Sequence, residues 1–382
     1  VGPESELPRR RGEEPLTLDL DGGLVMPGLI DCHTHMVYAG ERIEDFEARL
    51  RGESYAEIGA RGGGILSTVR ATRRASEEEL LGLVLRRAET WAAQGITTVE
   101  VKSGYGLSAR HELRLLEVIR RADRHTIPHL VPTFLGAHTF PAEARQSDAA
   151  RARYVEEVVQ DMLPAVAARG LARFCDVFID EGAFTVEEGR RILQKARALG
   201  LGLKVHAEQL RHTGAADLAA ELGAISAEHL ERVSEEGLLA MAAAGTVAVL
   251  LPGAALFLRD APAESARFRA HGIPMAVATD HNPGSSPTDN LLLMAQLQVL
   301  AGGMTVPEAL LAVTLNAARA LGLHQDRGSL RAGQRADLAL FRCRDPRELL
   351  YRFGGTPCTG IVKDGVYHRV EAARPGLLLG GA

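Results

Sequence analysis

Two histidines one residue apart, His33 and His35 in Asp31-Cys32-His33-Thr34-His35, come directly after the apolar run Val25-Met26-Pro27-Gly28-Leu29-Ile30. That run reads as a buried strand broken by a Pro-Gly turn. Side chains alternate along a strand, so both imidazoles face the same way, and two neutral imidazoles on one face can grip one divalent ion. An arbitrary His-x-His reads equally well as two solvated loop residues. Residues farther along the chain decide between the two. His138, His206, His229 and Asp280 each stand where another apolar run stops, and Tyr105 lies in the loop after 96–101. Any one of them could cap a helix. Their recurrence at strand ends, in a chain with 13 histidines, points to one shared site.

Three imidazoles and one carboxylate suit zinc or iron better than magnesium or calcium, which prefer oxygen ligands. Such a site can lower the pKa of a bound water from 15.7 to about 7. Asp280 can accept a proton from that water, and His229 can polarise or protonate the bond under attack. The chemistry expected is metal-assisted hydrolysis of a C–N bond or an equivalent amide, amidine or ester.

Regular elements must position these groups. Strand patterns at 25–30, 96–101, 129–134, 174–179, 201–205, 225–229, 246–251 and 275–279 alternate with helical patterns. The helix signals include capping boxes, Ser76 with Glu79 and Thr185 with Glu188. Eight strands alternating with helices predict an α/β fold, a (β/α)8 TIM-type barrel whose site lies at the C-terminal strand ends. The competing architecture is a doubly wound open sheet. No Gly-x-Gly-x-x-Gly comes after the first strand, which counts against a dinucleotide site. Gly62-Gly63-Gly64 lacks the ending of a phosphate loop and reads as a flexible loop. Helical patterns at 288–301 and 305–321 come after the barrel. A strand at 14–20, a hairpin-like 328–341 and a strand at 360–368 then suggest a small β-sandwich-like domain. The expected division is 25–324 for the barrel, with 1–24 and 325–382 for the small domain. The first residue is Val1, so the gene is expected to begin upstream and the small domain to lack part of its sheet, with an exposed edge.

Composition narrows the class. The 382 residues are 46% hydrophobic and 24% charged, with a net charge of −5, so no basic footprint for nucleic acid is present. Cys32, Cys175, Cys343 and Cys358 form no Cys-x-x-Cys pair, which suggests a reducing, cytoplasmic compartment. No apolar run reaches the roughly 20 residues of a membrane helix, and no signal peptide is visible.

The pattern of Asp-Cys-His-Thr-His, His206, His229 and Asp280 resembles the amidohydrolase superfamily. Six further stretches occur in order: Tyr38-Ala39-Gly40-Glu41-Arg42, Arg61-Gly62-Gly63-Gly64-Ile65, Lys102-Ser103-Gly104-Tyr105-Gly106, Thr133-Phe134-Leu135-Gly136-Ala137-His138, His206-Ala207-Glu208-Gln209-Leu210 and Thr279-Asp280-His281-Asn282-Pro283-Gly284-Ser285-Ser286. They resemble most the branch that hydrolyses 4-imidazolone-5-propanoate to N-formimidoyl-L-glutamate in histidine degradation. The likeness covers nearly the whole chain. It implies that His33, His35, His206 and Asp280 hold one zinc or iron ion, and that His229 and Asp280 handle protons. It places Gln209 against the ring or the attacking water, and it makes Arg42, Tyr105, His138, Asn282, Gly284 and Ser285 substrate contacts. A cytoplasmic homodimer is also implied. A propionate tail needs a cation, and Arg42 can offer a bidentate pair; the bland alternative is an ion pair with Glu44 or Asp45. Two-metal relatives carry a lysine at the end of strand four, where this chain has Ile179-Asp180-Glu181, so one metal is expected. The alternatives are a deaminase of a small heterocycle and a non-catalytic barrel used as a binding module.

Overall fold

The computed structural model describes residues 17–53 and 55–370. Strands β1 (Leu24–Pro27) and β2 (Leu29–Asp31) flank Gly28 and belong to different sheets. Gly28 passes so close to Thr97 that an added side-chain carbon would lie 2.2 Å from Thr97 Oγ1. Its N–H donates to Asp337 O and that of Leu29 to Gly95 O, so one peptide hands the chain from one sheet to the other.

From β2 the chain builds eight parallel strands in sequence order: β3 (Ile96–Lys102), β4 (His129–Ala137), β5 (Phe174–Ile179), β6 (Gly202–Ala207), β7 (Ser226–His229), β8 (Val247–Leu250) and β9 (Met275–Val277). The sheet is a nearly closed barrel with helices outside. Amphipathic spacing drives the helices onto it: Leu115, Val118 and Ile119 of Ala109–Asp123, and Ile192 and Leu193 of Val186–Ala198, share one buried apolar cluster with Val99, Val101 and Val177. Both expected capping boxes form, with Ser76 and Thr185 each bonded reciprocally to the glutamate three residues on.

Closure happens at the C-terminal ends. Asp280 N–H donates to His33 O (3.0 Å) and His35 N–H to His281 O (2.9 Å). The buried Asp31 carboxylate reinforces the seam by accepting from Thr279 Oγ1 (2.6 Å), Thr279 N (3.1 Å) and Trp91 Nε1 (2.9 Å). Farther down, Ile30 N–H bonds to Val313 O rather than to β9.

The second sheet is antiparallel, ordered β1, β10 (Leu338–Phe341), β11 (Cys358–Lys363) and β12 (Val366–Arg369). Asp364 and Gly365, both at positive φ, make the two-residue turn between β11 and β12.

Several boundaries differ from the sequence reading. The 25–30 run is two strands in two sheets, so the small sheet takes residues 25–27 from the range assigned to the barrel. Residues 17–20 of the expected strand 14–20 are not extended into a sheet, and 14–16 lie outside the described residues. Within 328–341 only Leu338–Phe341 is a strand. The helix expected at 148–169 contains a π turn at Val158–Met162, and 305–321 is two helices, Val306–Ala312 and Leu315–Ala320. No helix among the described residues is long and apolar enough to cross a membrane.

Candidate active site

The strand ends converge. His33 and His35 come after β2, His206 lies in β6, and Asp280 comes after β9; each is at most 3% exposed. Their donor atoms stand at nearly equal spacings: His33 Nε2 to His35 Nε2 3.2 Å, His35 Nε2 to His206 Nε2 3.4 Å, and Asp280 Oδ1 to both His33 and His35 Nε2 3.3 Å. Ligands about 2.0–2.1 Å from one ion stand about 3.3–3.4 Å apart when tetrahedral. His33, His35 and Asp280 have that spacing and form one group able to hold a metal ion, and His206 adjoins it through His35.

A layer of buried charges sits one residue pair below. Glu100 and Lys102 of β3, Asp176 of β5, Lys204 of β6 and Glu228 of β7 are all fully buried. Glu228 Oε2 lies 2.5 Å from His33 Nδ1, and Asp176 Oδ2 lies 2.9 Å from His206 Nδ1. A carboxylate this close to Nδ1 orients each ring with Nε2 toward the site. Lys102 Nζ reaches Glu100, Asp176 and Glu228 at 2.8–3.0 Å, and Lys204 Nζ reaches Glu100 and Glu228 at 2.9 and 2.7 Å. Burial pulls the His33 ring down, but Glu228 and Asp280 together raise it to about 9. Burial keeps His35 well below its usual value. Burial would raise the Asp280 carboxyl, but hydrogen bonds from His33 and His35 hold it well below the usual carboxylate range.

Backbone strain collects at the same rim. Glu208, His229, Leu230 and Asp280 all sit at positive φ (51–76°), half of the eight non-glycine cases among the described residues. Such conformations persist only where the surroundings enforce them, and they cluster at working sites.

The remaining predicted residues fall around the cluster. His229 ends β7 with its ring 5.5 Å from that of His206 and 5.9 Å from that of His33. His138 stacks on His35 at 4.9 Å; its Nδ1–H donates to Gly104 O, and burial lowers its pKa to about 3. Tyr105 is buried against His138 and His35 rather than packed on the outer rim. Arg42 stands apart from its acidic neighbours: Asp45 accepts from Gly64 N–H (2.8 Å) and pins the triple-glycine loop. Asn282 is committed to its own loop, donating to Asp280 O and accepting from Gly284 N and Ser285 N. Gln209 is half-buried in the turn after β6 and makes no hydrogen bond to the described residues.

Sequence reasoning missed the buried charged layer. It also missed Glu112, which accepts from Gly104, Gly106 and Leu107 N–H and shapes the Tyr105 loop, and Asp180, which accepts from Leu210 and Arg211 N–H beside Gln209. A usable signal existed for the layer: Glu100 and Lys102, and Lys204 and His206, are paired at strand period two inside runs that must be buried on both faces.

A model described as the amidohydrolase family matches residues 24–368, and the chain belongs to that family, a class of hydrolases. Its curated relatives include the imidazolonepropionase of Idiomarina loihiensis, 49% identical over 92% of this chain and 85% of that protein. The imidazolonepropionase of Methylobacterium nodulans is 48% identical over 96% and 90%. Among solved structures, 5-methylcytosine deaminase from Klebsiella pneumoniae liganded with 5-fluorocytosine has the same fold, with a TM-score of 0.71 at 15% identity over 96% of this chain and 92% of that one.

Proposed function

We propose that this chain hydrolyses the ring C–N bond of 4-imidazolone-5-propanoate, giving N-formimidoyl-L-glutamate in histidine degradation. The observation that carries the reaction class is the convergence of His33, His35, His206 and Asp280 at 3.2–3.4 Å. The relatives named imidazolonepropionase support the substrate.

These four residues hold one zinc or iron ion. When bound, the ion polarises the ring carbonyl and acidifies water. Asp280, flanked by His33 and His35, takes the proton released as water adds its oxygen to the carbonyl carbon. The carbonyl carbon–nitrogen bond then breaks, the ring nitrogen receives a proton from His229, the new carboxylic acid gives its proton back to His229, and Asp280 releases the one it took. His138 is a neutral imidazole whose Nδ1–H is engaged, so its Nε2 accepts a hydrogen bond from the ring. Gln209 orients the water or the ring edge. Arg42 pairs with the propanoate, with Tyr105 beside it. Asn282, Gly284 and Ser285 form the loop wall; Asn282 acts through its hold on that loop. The protein works as a cytoplasmic homodimer, and light scattering reads that oligomeric state directly.

The test is incubation with freshly made 4-imidazolone-5-propanoate, with and without chelator, monitoring loss of the imidazolone absorbance and appearance of formimidoylglutamate. Chelator-sensitive product is expected. A folded, metal-loaded protein without turnover would overturn the substrate, and ammonia release from a small heterocycle would favour a deaminase.

A further inference from the structure

The loop that carries Asp280 runs directly against Arg42. A side-chain carbon added to Gly284 would lie 0.9 Å from Arg42 Nη2 and 2.1 Å from Arg42 Cζ, so the guanidinium fills the place of the missing side chain. Gly284 is itself held firmly. Its N–H donates to Asn282 Oδ1 (2.8 Å), its carbonyl accepts from Arg49 Nη2 (2.8 Å), and Asn282 Nδ2 reaches back to Asp280 O (2.7 Å). A chain of short contacts thus links a metal-ligand candidate, a glycine and a cation. Arg42 Nε is buried and has no hydrogen-bond partner among the described residues. A buried donor without an acceptor is unfavourable, so the slot is built for an acceptor from outside the chain.

We propose that Gly284 determines selectivity for the anionic tail: by carrying no side chain, it seats the Arg42 guanidinium against the loop of Asp280. The inference rests on the substrate reading above. The backbone at Gly284 is not left-handed, so alanine is permitted there. What the new methyl meets is the free end of a flexible side chain. The guanidinium yields rather than the fold, and a cleft of about 400 Å³ lined by Arg42, Asp45, Ile58, Arg61, Gly63 and Ser67 gives it room. Substitution therefore removes recognition of charge rather than stability.

The experiment compares Gly284→Ala, Arg42→Ala and the double variant on 4-imidazolone-5-propanoate and on its uncharged propanamide, with a melting temperature for each protein. In Gly284→Ala the acid-to-amide ratio of kcat/KM falls roughly 10- to 100-fold, the range of a charge-assisted pair, mainly through KM of the acid. The double variant is no less selective than Arg42→Ala, and melting stays near wild type. A wild-type ratio in Gly284→Ala, or losses that add in full in the double variant, overturns the inference while turnover of the acid by the wild type upholds the substrate. A wild-type protein that turns over neither compound overturns the substrate reading and this inference together.

Discussion

Replacing Glu228 with glutamine should weaken metal binding before it unfolds the barrel. The carboxylate is fully buried, 2.5 Å from His33 Nδ1, 3.0 Å from Lys102 Nζ, and through its other oxygen 2.7 Å from Lys204 Nζ. Three carboxylates face two ammoniums in this layer, a balance of −1, and the substitution takes it to zero. The amide oxygen can still accept from Lys204. Its NH2 then points donor against donor at Lys102 and at the His33 Nδ1–H, so the ring loses the partner that fixes its orientation. Losing such an orienting group costs roughly 10- to 100-fold in metal affinity. Breaking a buried pair costs about 3–5 kcal/mol; because Glu100 and Asp176 still pair with the lysines, the low end applies, about 3 kcal/mol. A domain with about 5–15 kcal/mol of stability survives that loss. Competition against a calibrated chelator reads the affinity, and denaturant unfolding reads the stability. Glu156→Gln is the control: its 2.7 Å pair with Arg191 is half exposed on both sides and should leave metal affinity unchanged. Wild-type affinity in Glu228→Gln would refute the reasoning and show that packing alone orients His33.

The same geometry sets four further outcomes. Asp280→Asn should keep the fold by circular dichroism and lower kcat by about 10³-fold or more, since one group serves both the ion and the proton; a kcat near wild type would remove that role. Arg42→Ala should raise KM roughly 10- to 100-fold with little change in kcat, and an unchanged kcat/KM would place Arg42 outside the site. Stripping the metal with chelator should lower the melting temperature and abolish turnover, with both restored by zinc or iron; at about 1,000-fold excess over Kd the ion contributes about 4 kcal/mol. Gly28→Ala should destabilise by about 1–3 kcal/mol through its clash with Thr97. Thr97→Ala should recover part of the loss, and additive effects of the two substitutions would show that the clash is not the cause.

Much of the site was legible because the chemistry sits at strand ends, where an apolar run stops and a polar residue begins. His33, His35, His206 and Asp280 could be found one by one, each by its own local break in pattern. The Glu100, Lys102, Asp176, Lys204 and Glu228 layer was missed because its partners come from four strands, and the period-two spacing of Glu100 with Lys102 and of Lys204 with His206 marks only part of it. The Pro27-Gly28 step misled for a different reason. One continuous apolar run serves two sheets, and only the Thr97 contact and the Asp337 bond show where it changes hands. Arg42 had two acidic neighbours in sequence, and its separation from Asp45 depends on Asp45 being held by Gly64, a contact made across a loop.

The barrel's closure has a consequence for how the chain survives in solution. Its first and last strands, β2 and β9, meet only at the end where His33, His35 and Asp280 stand, groups about 250 residues apart in the chain. The ion proposed above, held by both sides, would clasp that end shut. Without it, the two strand ends lose one of the ties across the seam, and a strand edge that opens there can template pairing with another molecule. On that proposal, metal supply would bear on aggregation as well as turnover. Newly made chain that meets its ion late is exposed to self-association at the edges where its active site should form.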